Sequence, residues 1–461
     1  MHNPAVNSAS GFRGAALKVA PGPVIVTILL VTLFLTLESA PTVPFIPLAT
    51  AFMLMVQVGM ALLIIPFIRV RLSGSSSLIL LLWAALFVWS LFSIFWSGYA
   101  PLSLMRVLMI YLPPLLLLLL IYADPHPVET FWKFARGCSF FGTCLALIAL
   151  AFLVAGKTIA LDQWEGVQVL GFGPFKISQS VHFMGSWPRV SSLTGNPNTL
   201  AAWLVFSLIF TYALYKARRI STVKFLLVGA LQSTIMLATL SRTSIGTLVL
   251  GAALLWVLTA RSAGSRFFKG ELLAVGGIAG ALAFFNHLFK HPRGEFLVRS
   301  TTVLSKREVI WAAAWKAIQD RPVTGCGFGV TYEAMLNDLG LDMVHLHNVY
   351  FSVLVEIGLV GFALFAAFWL SGVAVCWWRS FKHSSSGRLD SSLALAAAGS
   401  LLTALLFHQV FESMILRTNF YTILWVYLVG FATHPMLGQA LGGIHTKQSI
   451  EAVGADDSVC P

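Results

Sequence analysis

Long apolar runs separated by short polar breaks dominate this chain. Runs of roughly 17–25 residues, enough to cross a bilayer, recur at about 22–38, 45–68, 77–97, 102–122, 134–155, 198–215, 225–240, 244–260, 271–289, 348–377, 392–412 and 418–435. The pattern predicts an all-α, polytopic integral membrane protein of about 12 transmembrane helices. Only Ser241 to Thr243 separate the seventh and eighth runs. One long helix competes with two there, and Arg242 at the junction argues for two, because a mid-membrane arginine is costly. Arg13 and Lys18 precede the first run, and Ser39-Ala40 after it imitate a signal-peptide cleavage site. The many later runs favour an uncleaved first helix.

Basic residues orient this set. They cluster at Arg13/Lys18, Arg69/Arg71, Lys133/Arg136, Lys216/Arg218/Arg219/Lys224, Arg261/Arg266/Lys269 and Arg379/Lys382/Arg388. These fall in every second connection and mark a cytoplasmic side, with both termini on it. The expected order is a cytoplasmic N-terminus over 1–21, helices 1–5 over 22–155 and a periplasmic loop over 156–197. Helices 6–9 over 198–289, a large periplasmic loop over 290–347, helices 10–12 over 348–435 and a cytoplasmic tail over 436–461 follow. Both long loops mix apolar, aromatic and basic residues, including Trp164, Trp187, Trp311 and Trp315, which is not linker composition. Around Glu308 to Gln319 the apolar spacing suits an amphipathic helix lying on the bundle or at the lipid interface.

Composition agrees: the 461 residues are 57% hydrophobic and 10% charged, far from the roughly 25% charged of soluble chains. The net charge of +12 is dispersed between apolar runs rather than massed, so nucleic acid is not an expected partner. Five cysteines show neither a disulfide framework nor metal-ligand spacing. No internal repeat is evident, which weakens a transporter built from paired halves.

External basic residues are the anomaly, because topology alone predicts their depletion. Arg189 lies in WPRVSSLTGNPNTLAAW, Arg242 in LSRTSIG, Arg307 in SKREVIW, and His347 closes the large loop. Arginine grips phosphate oxygens through a planar fork and stays charged in a dry site. A lipid-linked diphosphate would supply both the neutralising anion and an apolar tail. Histidine at a loop–membrane seam can exchange protons near neutral pH. Gly358 and Gly361 return to the face of His347 at about 100° per residue, predicting a small-residue seam for a neighbouring helix. Glu356 falls on the opposite face, where it suits a structural polar partner. His408 and Glu412 share a helix face by i,i+4 spacing, near Gln409, and a polar contact inside the bundle is the reading for them. Supporting candidates are thus Asn196, Asn198, His345, Asn348, Glu356, His408 and Glu412. His345-x-His347, with Asp338 and Asp342 nearby, can alternatively be read as half a metal site, although no further ligand pair has useful spacing.

His347-Asn348 with Gly358 and Gly361, preceded by RVSSLTGNPNTLA, LSRTSIG and REVIW…RPVTGCGFG, resembles the signature of the bacterial O-antigen ligase and polysaccharide polymerase superfamily. The motifs occur in that order and cover the C-terminal two-thirds of the chain. The first five spans resemble the family mainly in hydropathy. The resemblance implies a GT-C-type glycosyltransferase of the inner membrane that uses an undecaprenyl-diphosphate-linked glycan at the periplasmic face. It implies Arg189, Arg242 and Arg307 as holders of the diphosphate, and His347, with Arg242, as catalytic. The chemistry would be inverting, with no metal and no cofactor. The acceptor would be lipid A–core for a ligase, or a growing glycan for a polymerase of O-antigen or exopolysaccharide. Membrane lipid and polysaccharide export or assembly proteins complete the expected partners. His345 and the modest size of the large loop depart from the family pattern, and a flippase for the same lipid is the rival from another class.

Overall fold

The computed structural model describes residues 21–33, 69–161, 165–172, 175–184, 187–260, 262, 264–265, 267–272, 301–331 and 346–438, with Gly59, Glu333 and Met335 as isolated positions. Its helices are α1 (Pro21–Leu33), α2 (Gly74–Phe92), α3 (Ala100–Ala123), α4 (Pro127–Ala155), α5 (Pro197–Lys216) and α6 (Thr222–Ala238). They continue with α7 (Arg242–Leu258), α8 (Thr301–Asp320), α9 (Val349–Ser385), α10 (Leu389–His408) and α11 (Phe420–Thr433). The expected spans at 45–68 and 271–289 lie almost wholly outside the described residues; the other ten fall on α1–α7 and α9–α11. Of the described helices, six are long and apolar enough to cross a membrane, and four more are apolar but only 10–17 residues long. The chain is a multi-pass membrane protein.

Burial runs round the whole circumference of α11, where every residue from Phe420 to Thr433 is buried. A helix apolar on all sides belongs at a bundle's centre. Trp425 meets Trp83 of α2 and Phe365, Phe368 and Trp369 of α9 at ring separations of 5.0–5.8 Å. Around this axis α5 packs on α4, α6, α7 and α10, while α9 packs on α2, α10 and α11.

Fold expectations need three corrections. The first is that the protein is not all-α, because residues 157–189 form a four-stranded antiparallel meander. Its strands are β1 (Lys157–Ala160), β2 (Glu165–Phe172), β3 (Phe175–Met184) and β4 (Trp187–Arg189). Period-two alternation is present, but its inward face is mixed: Gln168 and Gln179 are buried beside Leu170 and Val181. Gln179 Nε2 donates to Gln168 Oε1 at 2.6 Å, and Gln168 Nε2 donates to Thr158 Oγ1 at 2.8 Å. A hydrogen-bonded glutamine pair thus interrupts the apolar positions of the sheet's inward face.

The second correction concerns α9. Gly358 does not present a helix face to a neighbouring helix; it breaks the helix, with φ 64° and ψ −166°. The loop 321–331, following α8, seals the break. Cys326 N donates to Val355 O at 2.8 Å and Gly327 N to Glu356 O at 2.9 Å. Trp89 Nε1 donates to Ile357 O at 2.9 Å, and Leu359 N donates to Pro322 O at 2.8 Å. Irregular backbone is tolerated at membrane depth only when its polar groups are satisfied in this way. Gly358→Ala would drive a Cβ into the carbonyl of Val323 and impose a positive φ, for about 1–3 kcal/mol from the backbone alone. Thermal unfolding of the purified variant is expected well below wild type, whereas Gly74→Ala, with open space around its Cβ, should unfold close to it.

Third, α10 ends at His408, so Glu412 lies beyond the helix and is not its i,i+4 partner. Gln409 turns the chain, its Oε1 accepting from Met414 N and Ile415 N at 2.8 and 3.1 Å. Two expectations hold. The chain between α6 and α7 breaks at Thr239–Ser241, with Leu240 at φ 54°, giving two helices. The predicted amphipathic segment is α8, whose Ile310, Ala314 and Ile318 are buried against Leu346 and Val355.

Candidate active site

Asparagine caps start the helices that frame the site. The side chain of Asn196 accepts from Asn198 N at α5, that of Asn348 from Phe351 N at α9, and that of Asn419 from Thr422 N at α11. Such caps satisfy donors that the first helical turn leaves unpaired. They also fix where each loop meets its helix, and at this end of the bundle the loops converge.

The convergence forms one polar chain. Arg189, at the end of β4, is buried; its Nε donates to Thr239 O and its Nη2 to Asn198 Oδ1, both at 2.8 Å. Asn198 Nδ2 donates to Glu412 Oε1 at 3.1 Å. The other carboxylate oxygen, Oε2, lies 3.3 Å from His347 Nδ1. Residues far apart in sequence thus run in the order Arg189, Asn198, Glu412, His347.

His347 is held from both sides. Trp311 of α8 donates to Leu346 O at 2.9 Å, Asn348 N donates to Ser413 Oγ at 2.8 Å, and Val349 N donates to Gln409 O at 3.1 Å. Between these anchors His347 adopts φ 49°, a left-handed conformation that a non-glycine residue keeps only where its surroundings impose it. Leu240 and Leu416 also have positive φ; they immediately precede Ser241-Arg242 and Arg417. The imidazole remains part-exposed, at 29%, whereas the Glu412 side chain is 10% exposed.

Burial alone would push the Glu412 carboxyl up. The hydrogen bond and charge of His347, followed by the charges of His408 and Arg307, outweigh it and hold the group below the usual carboxylate range. A depressed value means that the group's stabilisation is complete above the ordinary range and is lost as pH falls through the folded value. Glu412→Gln is therefore expected to flatten the acid limb of thermal stability measured against pH. An unchanged acid limb in the variant would show that the carboxylate is not ionised in the fold.

Arg242, the first residue of α7, is exposed. Arg307 of α8 lies near enough for the two cations to repel each other, and its charge also reaches Glu412. Of the three predicted arginines, Arg307 therefore stands near the His347–Glu412 pair and Arg242 stands near Arg307, with a mutual repulsion that an anion would relieve. Arg189 differs from the expectation of a fork turned towards a ligand, because its Nε and one Nη donate inside the protein.

His408 is buried, with Nε2 at 3.5 Å from Ser244 Oγ and Nδ1 at 3.4 Å from Gln409 Nε2. Glu356 accepts from Thr331 Oγ1 at 2.5 Å and has Arg417 Nη2 at 3.5 Å, tying the loop that seals α9 to the α10–α11 connection. His345, Asp338 and Asp342 lie outside the described residues, and the paired-histidine metal reading lies there with them. Among the described residues there is no group of three or more histidine, cysteine or acidic side chains that could hold a metal. Sequence reasoning missed Arg417 and Ser413 as site residues and the reach of Glu412 to His347. The available signal was the polar density of HQVFES, residues 408–413, at the end of an apolar run.

Chemically, a carboxylate that holds Nδ1–H of an imidazole leaves Nε2 with the lone pair, ready to accept a proton. The charge of Arg307 reaches this pair, and Arg242 lies close to Arg307, a grouping suited to an oxyanion. Residues 225–366 match the family model described as O-Antigen ligase, a segment that contains Arg242, Arg307, His347 and Gly358 but neither Arg189 nor Glu412. No curated protein matches the chain.

Proposed function

Because residues 225–366 carry the O-antigen ligase family's domain and the chain belongs to that ligase-related superfamily, we propose that it transfers a glycan from an undecaprenyl-diphosphate carrier to a sugar hydroxyl at the periplasmic end of a GT-C-type bundle. The carrying observation is the His347–Glu412 pair with the charge of Arg307 reaching Glu412 and Arg242 close to Arg307. The acceptor O–H donates to His347 Nε2 while Glu412 keeps Nδ1–H in place. As the proton moves to Nε2, the acceptor oxygen forms its bond to the anomeric carbon from the face opposite the carrier, and the bond to the diphosphate breaks. The configuration therefore inverts. The leaving diphosphate takes the bonding electrons, and Arg242 and Arg307 stabilise its growing charge. Arg189 acts one step back, as a positioning residue: through Asn198 it fixes the Glu412 carboxylate. On this reading the chemistry needs no metal.

Ligase and polymerase readings share these residues and differ in the acceptor. The ligase reading takes lipid A–core, and the polymerase reading takes another carrier-linked repeat unit. The membrane is the bacterial inner membrane, with the basic end of the bundle cytoplasmic. Purified protein supplied with carrier-linked glycan and either acceptor, in the presence of a chelator, is expected to form a new glycosidic bond of inverted configuration. Movement of carrier lipid between leaflets without any product, whichever acceptor is given, would overturn the transferase reading in favour of a flippase.

A further inference from the structure

At the end of the bundle opposite the His347–Glu412 pair lies a cavity of about 370 Å³, within the size range of small-molecule sites. Two long helices begin at its wall. α4 starts after His126 and α10 after Arg388, and neither N-cap position offers a side-chain hydrogen bond to the first turn. Each start leaves amide donors without helical partners and adds roughly half a positive charge. Pairs of such ends favour an anion.

Side chains in the wall add to this field. Arg219 and Arg388 line the cavity together with His126 and His383. The two wall carboxylates are already matched: Glu129 pairs with Lys133 at 2.8 Å, and Asp390 accepts two hydrogen bonds from Arg219 at 2.8 and 3.0 Å. Arg388 makes no side-chain hydrogen bond or ion pair among the described residues.

The independent pointer to a ligand is His383. It is 1% exposed, and its Nε2 donates to Leu437 O at 2.8 Å. Nδ1 has no hydrogen-bond partner among the described residues, and neither has Arg219 Nε. Buried polar atoms left in this state are rare and call for a missing partner. A phosphate group answers both needs: its O–H donates to a neutral Nδ1, or its oxygen accepts from a protonated ring, while other oxygens meet arginine and the helix amides. We propose that this cavity binds a phosphate-bearing anion at the end of the bundle away from the transfer chemistry.

A free phosphate compound and an anionic phospholipid headgroup present the same chemistry, and two ligands separate them. Full-length protein in neutral detergent is titrated with inorganic phosphate. In parallel, it is mixed with equal phosphatidylglycerol and phosphatidylcholine and retained lipid is read by native mass spectrometry. Arg388→Gln, which breaks no side-chain hydrogen bond or ion pair among the described residues, is expected to weaken binding about 10-fold or more, as loss of a charge-assisted hydrogen bond does. His383→Gln should weaken it too. Phosphate binding alone identifies a soluble ligand; preferential, variant-sensitive retention of phosphatidylglycerol identifies a headgroup. Wild type that binds neither, or Arg388→Gln and His383→Gln variants of native unfolding temperature that bind like wild type, overturns the proposal.

Discussion

Replacing His347 with alanine is expected to lower glycan transfer by roughly 10²–10⁴-fold, the usual contribution of a positioned general base, while carrier binding stays near wild type. The split follows from the geometry: the imidazole faces Glu412, and the cations assigned to the diphosphate are Arg242 and Arg307. Glu412→Ala should share much of the loss, because without the carboxylate nothing fixes which ring nitrogen carries the proton. Residues that act as one unit do not add, so the double variant should be scarcely worse than His347→Ala. The measurement is product formation per mole of purified enzyme, beside equilibrium binding of carrier lipid. Carrier binding that collapses in His347→Ala would move the histidine from the acceptor to the donor. Fully additive losses in the double variant would separate the pair.

Arg242→Ala is expected to reduce transfer by about 10²–10³-fold, in line with removal of one donor from a charge-stabilising site, and Arg242→Lys should fail to restore it. Lysine keeps the charge but presents a compact ammonium rather than a planar fork able to hold two oxygens. The repulsion between Arg242 and Arg307 sharpens the expectation, since two cations remain together most easily when a diphosphate lies between them. Transfer in a deletion strain, normalised to protein level, reports the outcome. Full activity in the lysine variant would show that point charge suffices, and full activity in the alanine variant would take Arg242 out of the site.

Much of this was legible from hydropathy, because lipid forces a helix to announce itself as an unbroken apolar run. α2 to α7 and α9 to α11 lie where the runs do. His347 was legible for a related reason: a polar pair at the start of such a run needs an explanation. What hid the sheet was a broken code, with glutamines facing in beside Leu170 and Val181 while Ile159 and Ile177 are exposed, so alternation carried only a weak apolar signal. Gly358 was misread because angular bookkeeping at 100° per residue presumes an intact helix, and the break depends on donors from Trp89 and from the loop after α8. Glu412 was misassigned for a similar reason. Four-residue spacing predicts a shared face only if the helix continues, and Gln409 ends it by capturing two backbone amides downstream.

Arg189 shows a different limit. Its sequence neighbourhood suggests phosphate recognition, yet the guanidinium tethers β4 to the α6–α7 turn and to Asn198. No spacing rule distinguishes an arginine that grips a ligand from one that grips the protein. Burial does so at once.

The partner of His347 comes from the connection between α10 and α11, and this has a bearing on biosynthesis. Arg242, Arg307 and His347 all precede Glu412 along the chain and are translated before it. Until the last of the described hairpins enters the bilayer, the imidazole lacks the group that selects its tautomer. A truncated polypeptide lacking that hairpin would, on the proposed chemistry, carry His347 without the carboxylate that holds its Nδ1. On the proposed chemistry, competence would arrive only with the closing helices, which bring Glu412 to His347.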